Sequence, residues 1–314
     1  MQTHPAPDTA SILKGASAPM VLARRMIEKV AAARCNVLIT GETGTGKEVV
    51  ARLIHENSSR RSARLVSFNC AALPDTLIES ELFGYERGAF TGAQMRNEGR
   101  IAEANGGTLF LDEIGEMTLS AQAKVLRCLE TRELQRLGGR GTLPVDVRIL
   151  AATNQSPEDM VGHSTFRKDL FFRLNVARIH LPPLRERSED IPELAHHFLR
   201  GFSESLERAP KGFTSEALSA LKQYVYPGNV RELRNFIEVA LIHQPYPLIE
   251  SEHLPPMVCS STGNDEDRNR ILEVLRVAKW NKSEAAKTLH WSRMTLYRKM
   301  ARYAITDEGD AKSA

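Results

Sequence analysis

The chain has 314 residues, 42% of them apolar, and 42 Lys and Arg against 39 Asp and Glu leave a formal net charge of +3. That balance excludes a disordered charged tail and provides for one large core and at least one smaller one. No run of 18 apolar residues occurs, and the opening "MQTHPAPDTASILKG" lacks the charged-then-apolar order of a secretory signal, so a soluble, cytoplasmic protein with no membrane partner is expected. Cys35, Cys70, Cys128 and Cys259 are far apart and show no paired metal spacing, which reads as separate reduced thiols. The charge is uneven: residues 265–303 hold ten Lys or Arg against five Asp or Glu, about +5, leaving the remainder at about −2. Nucleic acid is therefore sought at that end.

In chain order, "NVLIT", "RLVSFN", "GTLFLD", "DVRILAATN" and "VARIHLP" are short apolar runs separated by amphipathic stretches. They predict buried parallel strands of a three-layer α/β domain. Directly after "NVLIT" stands "GETGTGKE": Gly41, Glu42, Thr43, Gly44, Thr45, Gly46, Lys47 and Glu48. Its three glycines let backbone amides turn inward around phosphate oxygens, the helix that follows adds its positive end, and Lys47 adds a point charge. This is a cradle for a nucleoside triphosphate. Glu48 stands where a Ser or Thr hydroxyl usually meets magnesium, so metal ligation must lean on water and other residues.

"GAFTGA" comes next: Gly88, Ala89, Phe90, Thr91, Gly92 and Ala93. Glycines on both sides predict a bent, mobile backbone that offers an aromatic ring to water. "GGTLFLDEIGE" then ends an apolar run in Asp112 and Glu113. One carboxylate can hold magnesium through water, here Asp112, and the next can polarise the attacking water. Asn69, Thr153 and Asn154 close other strands, where they either touch the terminal phosphate and orient the catalytic carboxylate or simply cap strand ends. Arg167 and Arg173, six residues apart in "FRKDLFFRLNV", are solvated surface charges or the counter-charge for a transition state.

After "PPLRERSED" the strand runs stop, and 191–207, 215–224 and 229–243 read as helices of a compact appendage. "CSSTGNDED", Cys259 to Asp267, reads as a linker. The last unit reads as three helices, with Asn281 capping the second and Ser292 the third, and with Ala285 and Ala286 allowing a close crossing. Ser292, Arg293, Thr295, Tyr297, Arg298 and Lys299 fall on or near the last of these and can reach DNA.

With these motifs in view, the chain resembles the AAA+ ATPases of bacterial enhancer-binding proteins, the activators of sigma-54 RNA polymerase, from about Ile12 to Ile305. The resemblance implies a AAA+ P-loop nucleotide-binding subdomain (1–187), a helical lid (188–258), a linker (259–267), a Fis-type helix-turn-helix domain (268–305) and a tail (306–314). It implies ATP and Mg2+, a GAFTGA loop that contacts sigma-54, and Asn69 as a switch holding Glu113 until ATP is seated. Thr153 and Asn154 would sense the γ-phosphate, Arg231 would be the lid sensor, and Glu48 matches the group's own pattern. Arg167 and Arg173 would act on a neighbouring subunit's ATP, which requires a homo-oligomer, a hexamer when active. The expected partners are sigma-54 RNA polymerase holoenzyme and upstream enhancer DNA. His290 departs from the glycine many relatives place in the helix-turn-helix turn, although histidine tolerates positive φ better than most residues.

Only about forty residues precede the phosphate loop, so no separate receiver or sensing domain is expected and control should come from expression level or a regulatory protein in trans. Two other readings stay open. Asp112, Glu113, Arg167 and Arg173 weigh against a repressor whose ATPase module only assembles oligomers, and GAFTGA weighs against a general AAA+ remodeller with a DNA tether.

Overall fold

The five apolar runs become β1 (Val37–Thr40), β2 (Leu65–Asn69), β3 (Thr108–Asp112), β6 (Arg148–Thr153) and β7 (Ala177–His180), and two short strands that the sequence did not announce, β4 (Glu133–Gln135) and β5 (Thr142–Pro144), join them in a computed structural model. It describes residues 13, 15–203, 210–243, 247–259, 271–276, 278, 280, 282–289, 296, 300 and 305. Five strands form one parallel sheet in the order β2-β3-β6-β1-β7, and β4 and β5 pair separately and antiparallel.

Successive strand residues point to opposite faces. Leu38, Leu109, Leu111, Ile149 and Ala151 join one core, and Val37, Ile39, Phe110, Leu150 and Ala152 join the other. The helices are α1 (Ala18–Ala32), α2 (Lys47–Glu56), α3 (Asp75–Phe83), α4 (Arg100–Glu103), α5 (Leu119–Thr131), α6 (Pro157–Gly162), α7 (Lys168–Leu174), α8 (Ile191–Ser203), α9 (Ser215–Gln223) and α10 (Asn229–Ile242). Helices α3, α5 and α7 cover the first face through Leu82, Val125 and Leu170, and α1 and α2 cover the second through Ile27 and Ile54. The result is the expected three-layer α/β arrangement. Register brings the strands' carboxyl ends together, with Thr40 opposite Thr153 and Asn69 opposite Asp112.

By contacts the chain divides into two compact units, Met1–Ser205 with Val225–Asn235, and Leu206–Tyr224 with Phe236–Ala314. In the second, the Thr214 hydroxyl caps α9 by accepting from Ala217 N at 3.2 Å, and Phe213 bridges to Ile249. Helix α9 stops one residue short of the expected 224 because Tyr224 is already extended, with φ −76° and ψ 145°. Near the end of the chain, residues 271–276 and Lys282–Thr288 are helical, and Ile271, Leu275, Ala285, Ala286 and Leu289 share an apolar cluster. Ala285 and Ala286 are both buried in it. Asn281, His290, Ser292, Arg293, Thr295, Tyr297, Arg298 and Lys299 lie outside the described residues, as do 260–267 of the expected linker. No described helix is long and apolar enough to cross a membrane.

Candidate nucleotide site

From Thr40 the chain turns through three glycines of positive φ: Gly41 at 154°, Gly44 at 81° and Gly46, the N-cap of α2, at 108°. A Cβ on Gly41 would lie 2.7 Å from the Leu181 carbonyl oxygen, and one on Gly44 would lie 2.2 Å from that of Gly228. At these two glycines the loop is thus pressed against neighbouring backbones, where no side chain would fit. The first amides of α2 have no acceptor within the helix, which makes this end a site for an anion.

Lys47 is buried at 6% exposure. Its ammonium donates to the carbonyls of Gly41 at 2.9 Å and Glu42 at 3.3 Å, and lies 3.2 Å from one oxygen of Glu113. The other Glu113 oxygen accepts from Asn154 N at 3.0 Å, and the Asn154 side-chain amide donates to the Thr43 hydroxyl at 3.1 Å. The phosphate loop, the end of β3 and the end of β6 are therefore linked by one chain of polar contacts. Glu113 sits at φ 50°, ψ 53°, a left-handed conformation that costs a non-glycine residue about 1–2 kcal/mol.

Asp112 accepts from Glu113 N at 3.1 Å. Burial and then the Glu113 carboxylate push its carboxyl up, against the opposing pull of Lys47. A divalent cation beside these carboxylates would relieve that repulsion. Among the described residues no group of three or more His, Cys, Asp or Glu could hold a metal ion. This donor set fits magnesium, which takes one or two carboxylates and keeps water and phosphate oxygens as its other ligands.

The remaining expected residues take distinct places. The Asn69 oxygen accepts from Ala71 N at 2.8 Å, capping the next turn, and no described hydrogen bond joins Asn69 to Glu113. The Thr153 hydroxyl accepts from Gln155 N, and its carbonyl accepts from Gly41 N. Arg231 approaches the loop through its backbone, whose N–H donates to Gly44 O at 3.3 Å. Arg167 forms an exposed pair with Asp169 at 2.7 Å, and exposed Arg173 reaches the Leu129 carbonyl at 3.4 Å. Among the described bonds, neither arginine side chain meets the phosphate loop of its own chain.

Three supporting residues were not singled out from the sequence. Arg185 donates twice to the Glu42 carboxylate, at 2.8 and 2.6 Å, and the Asn229 amide adds a bond at 3.1 Å. With Arg185 as the larger cause, these bonds hold the Glu42 carboxyl down at about 2. Fully buried Asn229 also donates to Thr43 O at 3.0 Å and accepts from Leu184 N at 2.8 Å. Buried Arg187 donates to Thr45 O at 3.1 Å. The signals available were the dense polar stretches "PPLRERSED" and "YPGNVRELRN", one of which served only as a boundary.

The GAFTGA segment forms a closed tip, with Gly88 N donating to Ala93 O at 2.9 Å and Ala93 N to Phe90 O at 3.1 Å. Gly88 and Gly92 have φ of 82° and 104°, and a Cβ on either would meet nothing within 4 Å, so the turn itself calls for glycine. Thr91 is exposed. The Phe90 ring is 43% exposed and rests edge-on against Tyr85, centroids 4.9 Å apart, so it is presented to solvent yet braced on its own domain. At the loop's base Arg136 donates to Glu86 at 3.1 Å and to Glu98 at 2.7 Å.

A parallel sheet with a glycine-rich phosphate loop after β1, adjacent carboxylates after β3 and a polar residue closing β6 defines a AAA+ P-loop ATPase. The chain belongs to the Sigma-54 interaction domain family, whose model matches residues 13–180. A AAA+ ATPase lid domain matches 185–271, and Bacterial regulatory protein, Fis family, matches 264–303.

The chain is 48% identical over 296 residues to Regulatory protein AtoC of Escherichia coli K12, covering 88% of this chain and 64% of that one. It is 46% identical over 299 residues to Transcriptional regulatory protein ZraR of Salmonella typhimurium, covering 92% and 68%. It thus spans about two thirds of the length of these curated relatives. The solved structure of NtrX from Brucella abortus in complex with ATP is similar at a TM-score of 0.71 and 34% identity, over 93% of this chain and 69% of that one.

Proposed function

We propose that this chain hydrolyses ATP with Mg2+ and couples hydrolysis to remodelling sigma-54 RNA polymerase holoenzyme into the open complex, working from upstream enhancer DNA. The observation that carries the reading is the position of Glu113, held between the phosphate-loop lysine and the Asn154 amide, in a chain that also presents an exposed Phe90–Thr91 tip. The solved ATP complex of NtrX supports ATP as the nucleotide.

In this mechanism the ATP phosphates take Lys47 from the Gly41 and Glu42 carbonyls and from Glu113. The freed Glu113 oxygen polarises the attacking water, while Asn154 N keeps the other oxygen in place. Asp112 would hold magnesium through water, and the ion's chemistry is to neutralise charge on the phosphates. Asn69, in register beside Asp112, is the proposed switch on Glu113, and Thr153, Asn154 and Arg231 register the state of the nucleotide. Arg167 and Arg173 stabilise the transition state in a neighbouring subunit's site, which makes the active form a ring, proposed as a hexamer.

The tip at Gly88–Ala93 grips sigma-54, and the residues from Ser292 to Lys299 contact DNA. The test is open-complex formation on a supercoiled sigma-54 promoter template. Complexes should appear with ATP and holoenzyme and fail with a non-hydrolysable analogue. Equal yield with the analogue would refute the coupling.

A further inference from the structure

At the end of the sheet away from the phosphate loop, a cavity of about 400 Å³ opens beside Asn36, just before β1, and Val147, just before β6, a size within the range of small-molecule sites. Its accessible apolar lining comes from Leu129, Val147 and Val176, while Leu111, Val125 and Ile149, which also line it, are buried in the core. Around it stand Arg34, Arg60, Arg132, Arg148 and Arg173, with Asp146 as the single acid.

Two of these arginines are already engaged. Arg60 takes both Asp146 oxygens at 2.8 Å, and Arg148 donates to the Val30, Ala31 and Cys35 carbonyls. Among the described residues the other three have no acidic partner. Arg34 and Arg132 have no described side-chain hydrogen bond or ion pair, and Arg173 has only its 3.4 Å contact to Leu129 O. The pull of Arg60 lowers the Asp146 carboxyl, and Arg132 and Arg34 add to it, so their charges reach the same place.

We propose that this cavity binds a small amphiphilic anion, a carboxylate or phosphate on an apolar tail, with the tail against Leu129, Val147 and Val176 and the head among Arg34, Arg132 and Arg173. A bare anion leaves the apolar wall wet, and a neutral tail leaves the guanidiniums without an acceptor, so both parts are required. Arg173 is also the side chain assigned above to the neighbouring subunit's ATP. Occupancy withdraws it and slows turnover; this second step rests on that assignment, and the binding does not.

The experiment is isothermal titration calorimetry of the full chain with octanoate, octyl phosphate, octanol and inorganic phosphate, paired with ATPase assays at high protein concentration. Octanoate or octyl phosphate should saturate at one per chain, with octanol and inorganic phosphate at least about tenfold weaker. The double variant Arg34→Ala, Arg132→Ala alters two exposed side chains, so it should stay folded and lose about tenfold or more in affinity. Failure of both amphiphiles to saturate, equal binding of octanol, or an unchanged double variant would overturn the site. Saturable binding with unchanged turnover would overturn the Arg173 step alone.

Discussion

Replacing Glu113 with Gln preserves side-chain size and removes charge where both carboxylate oxygens are in use. One lies 3.2 Å from the Lys47 ammonium, and the other accepts from Asn154 N at 3.0 Å. An amide has one acceptor oxygen, so if it keeps Asn154 its NH2 group faces the ammonium, donor against donor. The side chains are only 6% and 15% exposed, so water replaces little of what is lost, and a hydrogen bond to a charged group is worth about 1.5–3 kcal/mol.

Lys47 retains its bonds to Gly41 and Glu42, which offsets part of that loss. ATP no longer has to compete with Glu113 for the lysine, so its affinity should rise by up to about tenfold, or 1.4 kcal/mol. Loss of the base should slow the chemical step by about 10²–10⁴. Equilibrium binding of a fluorescent ATP analogue and single-turnover hydrolysis with protein in excess separate the two effects. Hydrolysis within a few-fold of the unmodified chain would remove Glu113 as the base. Weaker nucleotide binding would refute the competition for Lys47.

Asn229→Ala should lose about 1–3 kcal/mol by stranding Leu184 N and Thr43 O, and a further 1–2 kcal/mol for alanine at φ 53°. Asn229→Gly escapes the second loss, so urea unfolding that ranks Ala level with Gly would contradict the assigned strain. Arg167→Ala and Arg173→Ala should each lower turnover by about 10³–10⁵, and mixing either with a Lys47→Ala chain should restore some activity; no recovery at any ratio argues against action across subunits. Thr91→Ala should leave ATP turnover within a few-fold, because Thr91 is exposed on the GAFTGA tip and has no described contact with Lys47, Asp112 or Glu113. A net hydroxyl contact of about 0.5–1.5 kcal/mol, repeated over several tips, should nonetheless abolish open-complex formation, and normal open complexes would remove Thr91 from the grip. Removing Asn264–Ala314 should abolish site-specific DNA binding while sparing ATPase activity, and an assembled but inert truncation would contradict that division.

The properties legible in the sequence are those written in neighbouring residues. Apolar runs such as "NVLIT" and "GTLFLD" announced buried strands because a strand covered on both faces needs apolar side chains in both directions. The three glycines before Lys47 announced the phosphate loop because glycine enters their positive φ values freely, and Gly41 and Gly44 also lie against the Leu181 and Gly228 carbonyls, where a Cβ would clash. Asp112 and Glu113 were visible as carboxylates at a strand end for the same local reason.

Contacts between distant segments could not be read this way. The Arg185–Glu42 pair spans 143 residues and the Asn229–Glu42 bond spans 187, so each becomes a contact only after the sheet order and the start of α10 bring those segments together. Tertiary structure likewise decided that Glu113 rests between Lys47 and Asn154 while Asn69 caps its own turn, and that the Phe90 ring leans on Tyr85. Residue type and short-range spacing limit what a side chain can do, and strand order and register settle which partner it meets, because a hydrogen bond acts over about 3 Å of space whatever the separation along the chain.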